Sequence, residues 1–189
     1  MSVPEVDHRI LVTTSRPVDD ELAEKARGVG FEVFRGDVSN VYSRFQKVCD
    51  IYNLDVLLRF TGDNPLIDTK IVGESISYFL NSYQNGVPAF LSTRNTFMPV
   101  GMDIEMFSKE VLSLDPKNLT PYDEEHVTPW MYSDARVIKL EFLANLPKAG
   151  CSVTVDTPEE LIVADKIFEW LENRAPSFEL VKLFFETQY

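Results

Sequence analysis

Between residues 9 and 60 the chain alternates three short apolar runs with two longer segments of helical period, and this alternation is the tightest constraint on its fold. RILVTT at 9–14, FEVF at 31–34 and DVLLRF at 55–60 are too short for helices and read as strands. After the first run, Pro17, a capping Asp19 and Glu21 open a helix; Leu22 and Ala26 form its buried face, and Gly28 with Gly30 ends it. Arg35-Gly36-Asp37 turns the chain, and Ser39 or Asn40 caps a second helix. In it Val41, Phe45, Val48 and Tyr52 recur at helical spacing. Strand–helix–strand–helix–strand predicts a parallel sheet with helices on its faces.

The third run leads into Thr61-Gly62-Asp63-Asn64-Pro65, where glycine loosens the backbone and proline ends the turn. Asp63 is therefore expected at the carboxyl tip of a central strand, where open α/β sheets take their ligands. A carboxylate there can hold a divalent cation against phosphate oxygens. It can equally close an Asx turn.

Downstream, Asp68 caps a helix carrying Ile71, Val72, Ile76, Phe79 and Leu80, and Asn85-Gly86 closes that region. Residues 89–92 read as a strand and 93–100 as irregular. MDIEMF at 102–107 reads as a strand with one wet face, and Ser108 begins a short helix ending near Asp115-Pro116. Residues 121–131 hold an acidic helix that Pro129 kinks or shortens. Residues 137–143 form a further strand, Lys148-Ala149-Gly150 a turn and 152–155 another strand. Asp156-Thr157-Pro158-Glu159-Glu160 then begins a helix whose buried face is Leu161, Ala164, Ile167, Phe168 and Leu171. Ala175-Pro176-Ser177 breaks it, and a short aromatic helix follows.

The 189 residues, 44% hydrophobic and 25% charged, suit one globular domain spanning 1–189. A formal net charge of −12 argues against nucleic acid and anionic membrane as partners, since both need basic patches. A nucleotide substrate stays open, because a metal ion can supply positive charge locally. Cys49 and Cys151 fit no metal-ligand spacing and read as reduced thiols of a cytoplasmic protein. Residues 1–10 lack a secretory pattern, and no apolar run approaches the ~20 residues that cross a bilayer.

Six stretches, in this order, resemble the cytidylyltransferase family: LVTTS (11–15), FRGD (34–37), RFTGDNPLID (59–68), PVGMDIEMF (99–107), EHVTP (125–129) and VDTPEEL (155–161). That family makes CMP-activated sugar acids, and the likeness is to its members in spore-coat and other surface-polysaccharide biosynthesis. The resemblance implies a three-layer α/β/α, nucleotide-diphospho-sugar transferase-like (Rossmann-like) fold with a mixed sheet, and a homodimer. It implies attack of a sugar-acid hydroxyl on the α-phosphate of CTP, with release of pyrophosphate. Asp63 and Asp156 match the family's two Mg²⁺-holding aspartates, and Arg59 matches a basic residue beside the site. Gly62, Pro99, Gly101, Asp103, Glu105 and His126 fall in segments that border the substrate.

Residue by residue, other roles stay open. Asp156 can be a helix cap, Asp103 and Glu105 the solvated face of a strand, His126 a surface histidine, and Arg59 a partner of Asp55. Family members begin with a strand and a Gly/Arg-rich nucleotide loop. Here residues 1–9 carry no glycine-rich loop, and Glu124 stands where arginine usually precedes Glu-His. The expected consequence is that the strands at 9–14 and 55–60 either pair directly or take another chain between them. A non-catalytic module binding a sugar or a partner is the alternative function. A glycosyltransferase is disfavoured, because no DxD-type motif follows a strand and Asp134 does not supply one.

Overall fold

The computed structural model describes residues 6–94, 96, 98–114, 116, 119–142 and 150–188. Its elements in chain order are β1 (Ile10–Thr14), α1 (Asp20–Gly28), β2 (Glu32–Gly36), α2 (Val41–Tyr52), β3 (Val56–Arg59), α3 (Thr69–Ser82) and β4 (Ala89–Ser92). There follow β5 (Glu105–Ser108), α4 (Lys109–Ser113), α5 (Pro121–His126), β6 (Ile138–Leu140), α6 (Pro158–Leu171) and α7 (Phe178–Gln188). Short 3-10 turns at Pro17–Asp19 and Pro129–Tyr132 lead into α1 and follow α5. Pro129 thus ends one helix and begins the next turn, as a residue without an N–H should.

The described strands form two sheets. β1 and β2 pair in parallel. The larger sheet has the order β3-β5-β4-β6, antiparallel across β3/β5 and β5/β4 and parallel across β4/β6. The mixed sheet implied by the resemblance is present; of the first three strands β1 and β2 pair in parallel, whereas β3 pairs antiparallel with β5, so β1 and β3 do not pair directly. Arg9 O accepts from Glu32 N and Gly36 O from Ser15 N, so odd-numbered residues of β1 face β2. Lys109 N donates to Asp55 O, so odd-numbered residues of β3 face β5. Val12 and Leu58 accordingly turn their backbone groups toward edges that no described strand covers.

Alternation along the strands builds two cores. On one face Leu58, Ala89, Leu91 and Met106 meet α3, α6 and α7 through Phe79, Ile167 and Phe184. On the other, Leu57, Phe90 and Phe107 meet Tyr42 and Cys49 of α2, Val111 of α4, and Trp130 and Met131. Three layers result, as the sequence predicts.

Several local expectations shift. Leu22, Leu80, Leu161 and Phe168 are exposed; Ala23 is the buried residue of α1, and Ala164, Ile167 and Leu171 line α6. α1 packs mainly against β1 and β2, and Leu22 stays on its exposed side. Arg35 and Gly36 continue β2 instead of turning. Residues 152–155 form no ladder; a single parallel bridge joins Val100 to Ser152, because Val155 bonds the Asp63 turn instead. Strand β6 ends at Leu140; Leu143, Asp115, Lys148 and Ala149 lie outside the described residues.

Candidate active site

The carboxyl ends of β3 and β4 meet the start of β5 at one rim of the larger sheet. Register places Arg59, Glu105 and Ser92 in a single row across the three strands. Their parity with Leu57, Phe107 and Phe90 sends all three side chains toward the face covered by α2, α4 and the turn at Pro129–Tyr132. Arg59 Nη1 donates to Glu105 Oε2 at 2.6 Å, and the two side chains are only 12% and 8% exposed. Thr128 Oγ1 and Tyr132 Oη donate to Glu105 Oε1 at 2.8 and 3.1 Å. Ser92 Oγ lies 2.6 Å from Tyr132 Oη. Burial and the Glu105 charge hold the Tyr132 phenol well above its usual pKa, so it stays a donor.

This row corrects the wet face expected of residues 102–107. Met102, Ile104, Glu105, Met106 and Phe107 are all buried, because β5 lies between β3 and β4 with helices on both sides. The charge of Glu105 is tolerated there because Arg59 pairs with it and two hydroxyls satisfy its other oxygen. Arg59 does not pair with Asp55, which takes Lys109 at 2.6 Å.

Beyond β3 the chain runs through Thr61 to Pro65. Asn64 N donates to Thr61 O at 3.3 Å, closing the turn through backbone. Asp63 closes no Asx turn: its Oδ1 is buried without a hydrogen-bond partner among the described residues. Gly62 is exposed, has no positive φ, and an added Cβ would meet nothing. Its glycine is not required by this backbone.

Residues 151–155 bridge the Asp63 turn and the loop at Val100. Val155 N donates to Asp63 O at 2.8 Å, which sets Asp156 one residue from that contact. Upstream in the same segment, Val100 N donates to Cys151 O at 3.1 Å and Val153 N to Val100 O at 2.7 Å. Gly101 sits in this junction at φ +92°, where a Cβ would stand 2.6 Å from Thr154 N. Here glycine is needed for both conformation and closeness. Pro99 and Gly101 are buried in the loop before β5. Asp156 is exposed and is not the cap of α6. Thr157 is, in a capping box with Glu160, whose carboxylate also accepts from Asp156 N at 2.8 Å.

Asp103 is half-buried, and burial raises its pKa against the lowering effect of the Gly101 N–H and of Arg94. His126 is at the exposed end of α5, its ring 4.3 Å from Tyr122. Its side chain makes no hydrogen bond among the described residues. Glu124 accepts from Asn40 Nδ2 at 2.9 Å and ties α5 to α2. Ser92, Arg94, Thr128 and Tyr132 went unpredicted: only Thr128 falls in a family stretch, strand register sets Ser92 beside Glu105, and Tyr132 and Arg94 join the row through hydrogen bonds to Glu105 and Ser92.

A desolvated carboxylate oxygen with no donor is an incomplete site for a cation. Asp63, with Asp156 one residue beyond the Val155 contact, would offer a cation two carboxylates. Among the described residues no cluster of three or more His, Cys, Asp or Glu could hold a metal by itself. That donor set fits Mg²⁺, which commonly takes one or two carboxylates and fills its shell with water and substrate phosphate.

The layers and the mixed sheet are those of a nucleotide-diphospho-sugar transferase-like α/β fold. The cytidylyltransferase family profile matches residues 2–174, and the chain belongs to that family. An uncharacterised protein of Methanocaldococcus jannaschii is 31% identical over 156 residues, covering 80% of this chain and 62% of the relative. The spore coat polysaccharide biosynthesis protein SpsF of Bacillus subtilis is 25% identical over 170 residues, covering 82% and 64%. The chain therefore spans less than two thirds of the length of these relatives. A cytidylyltransferase structure from Leptospira borgpetersenii superposes with TM-score 0.82 at 27% identity, over 95% of this chain and 76% of the other. A CMP:2-keto-3-deoxy-manno-octonic acid synthetase complexed with CTP superposes with TM-score 0.61 at 14% identity, over 89% and 83%, a likeness of fold.

Proposed function

We propose that the chain serves surface-polysaccharide biosynthesis by activating a sugar acid with CTP. A sugar hydroxyl oxygen bonds to the α-phosphorus, the bond to the leaving pyrophosphate breaks, and the hydroxyl proton is released. The observation that carries this reading is the buried, unpartnered Asp63 Oδ1 beside the segment leading to Asp156. These two aspartates would hold Mg²⁺, which when bound supplies positive charge to phosphate oxygens. The chain's own part is positioning. The Arg59–Glu105 pair fixes the end of β3 from which the Asp63 turn departs, and Gly101 lets residues 151–155 close on that turn. Asp103 offers an acceptor to sugar hydroxyls.

One observation favours the second reading, a non-catalytic sugar- or partner-binding module. Two of the cations at the sheet ends are already engaged, Arg59 by Glu105 and Arg35 by Asp20, each at 2.6 Å, which reduces the positive charge left for a triphosphate. Calorimetry with CTP and Mg²⁺, and pyrophosphate release with added sugar acids, separate the two. Turnover lost in Asp63→Ala supports the first reading, and sugar binding without pyrophosphate release supports the second. A homodimer acting in the cytoplasm completes the proposal. Cys49 and Cys151 are free thiols, and among the described residues no helix is long and apolar enough to cross a membrane. Sedimentation equilibrium tests the dimer.

A further inference from the structure

Arg94 is a cation of the rim that the motifs do not mark. It lies two residues beyond β4 and is exposed, and its backbone N–H donates to Ser92 Oγ at 3.0 Å, fixing where the loop leaves the sheet. Its guanidinium makes no hydrogen bond or ion pair among the described residues. Arg59 is the opposite case. It is 2.6 Å from Glu105 and mostly out of solvent, so recruiting it to a substrate carboxylate would strand a buried acid.

The neighbours of Arg94 suit a sugar. Asp103, half-buried on the loop before β5, lies close enough to feel its charge. Tyr132 is 39% exposed; its ring stands edge-on to Phe90 at 4.9 Å and its hydroxyl is held by Ser92 and Glu105. A rigid aromatic ring meets the apolar face of a sugar, a carboxylate accepts from its hydroxyls, and a guanidinium grips a carboxylate with two parallel hydrogen bonds. β3 and β4 flank β5, so their carboxyl ends lie about 10 Å apart, two strand spacings. A sugar lying across the end of β5 would reach from the Asp63 turn to Arg94.

We infer that Arg94 is the specificity-determining residue of the acceptor subsite, selecting a sugar that carries a carboxylate over a neutral one. This rests on the reading that the chain binds a sugar acid beside CTP.

The test uses saturation-transfer NMR on the intact chain. The probes are a panel of 2-keto-3-deoxy sugar acids of differing length and the methyl ester of each, with CTP and Mg²⁺ binding measured by calorimetry in parallel. The parent should bind at least one acid about tenfold more tightly than its ester. Arg94→Gln should remove that preference while leaving ester affinity, CTP affinity and melting temperature as in the parent. Arg94→Lys, which keeps charge but not the planar fork, should restore part of it. Arg94→Gln binding the acid as the parent does would overturn the inference alone, as would a parent that does not distinguish acid from ester. A parent that binds none of the acids overturns the sugar-acid reading and the inference with it.

Discussion

Removing one partner from the Arg59–Glu105 pair should cost far more than a surface ion pair would. The two charges are 2.6 Å apart and only 12% and 8% exposed, so little solvent screening remains. Breaking a buried pair on one side leaves an uncompensated charge and costs about 3–5 kcal/mol. Arg59→Met keeps the aliphatic stem but strands Glu105 with only Thr128 and Tyr132 as donors. Glu105→Gln keeps the shape and an acceptor for those hydroxyls, and strands Arg59. In the double variant both charges are gone, so its loss should be smaller than the sum of the singles, with a coupling of at least about 2 kcal/mol. Urea unfolding followed by circular dichroism gives the free energies. For a chain of this size each kcal/mol moves the melting point by roughly 2–4 °C, so each single variant should melt about 6–20 °C lower. Single variants within about 1 kcal/mol of the parent, the range of exposed pairs, would refute a buried row linking β3, β5 and β4.

Gly101→Ala should destabilise the chain by about 2 kcal/mol or more, because the left-handed backbone and the 2.6 Å approach to Thr154 N both exclude a methyl group; equal urea midpoints would contradict this. Burial holds the Asp103 carboxyl above its ordinary value of 3.8, so the stability it contributes is whole below that value and is lost as pH rises through the raised one. Asp103→Asn, whose side-chain carbonyl can still accept from Gly101 N–H, should therefore raise the urea midpoint at pH 7 and leave it unchanged near about pH 3; no gain at pH 7 would count against the assignment. We propose that another chain supplies a strand between β1 and β3, covering the edges at Val12 and Leu58. Their amides should exchange with deuterium quickly in the isolated chain and become protected in an assembly that contains the strand, and slow exchange in the isolated chain would rule this out.

How much of this was legible in the sequence depended on whether the signal was local. Asp68 and Asn40 cap α3 and α2, and Ala89–Ser92 forms β4, because caps and strand patterns act within a few residues. The Asp63 and Asp156 motifs were readable as turn and helix start, and their spatial closeness followed only from the family resemblance until Val155 was seen to bond Asp63. Sheet order was not legible, since pairing β5 between β3 and β4 is a choice among distant segments. That choice also decided Glu105: its MDIEMF pattern alternates as a half-wet strand does, yet a central position and a guanidinium on the neighbouring strand bury it. Tyr132 and Arg94 carry no motif, and only register brings Ser92, their shared neighbour, beside Glu105.

The central claim is that Asp63 and Asp156 jointly hold the cation that carries CTP, and electron paramagnetic resonance of Mn²⁺ in place of Mg²⁺ tests it directly. In the presence of CTP the parent should bind one Mn²⁺ per chain. Asp63→Asn and Asp156→Asn should each weaken that binding at least about tenfold, with the double variant little worse than either single. Mn²⁺ and CTP bound equally well by parent and Asp63→Asn would contradict the account.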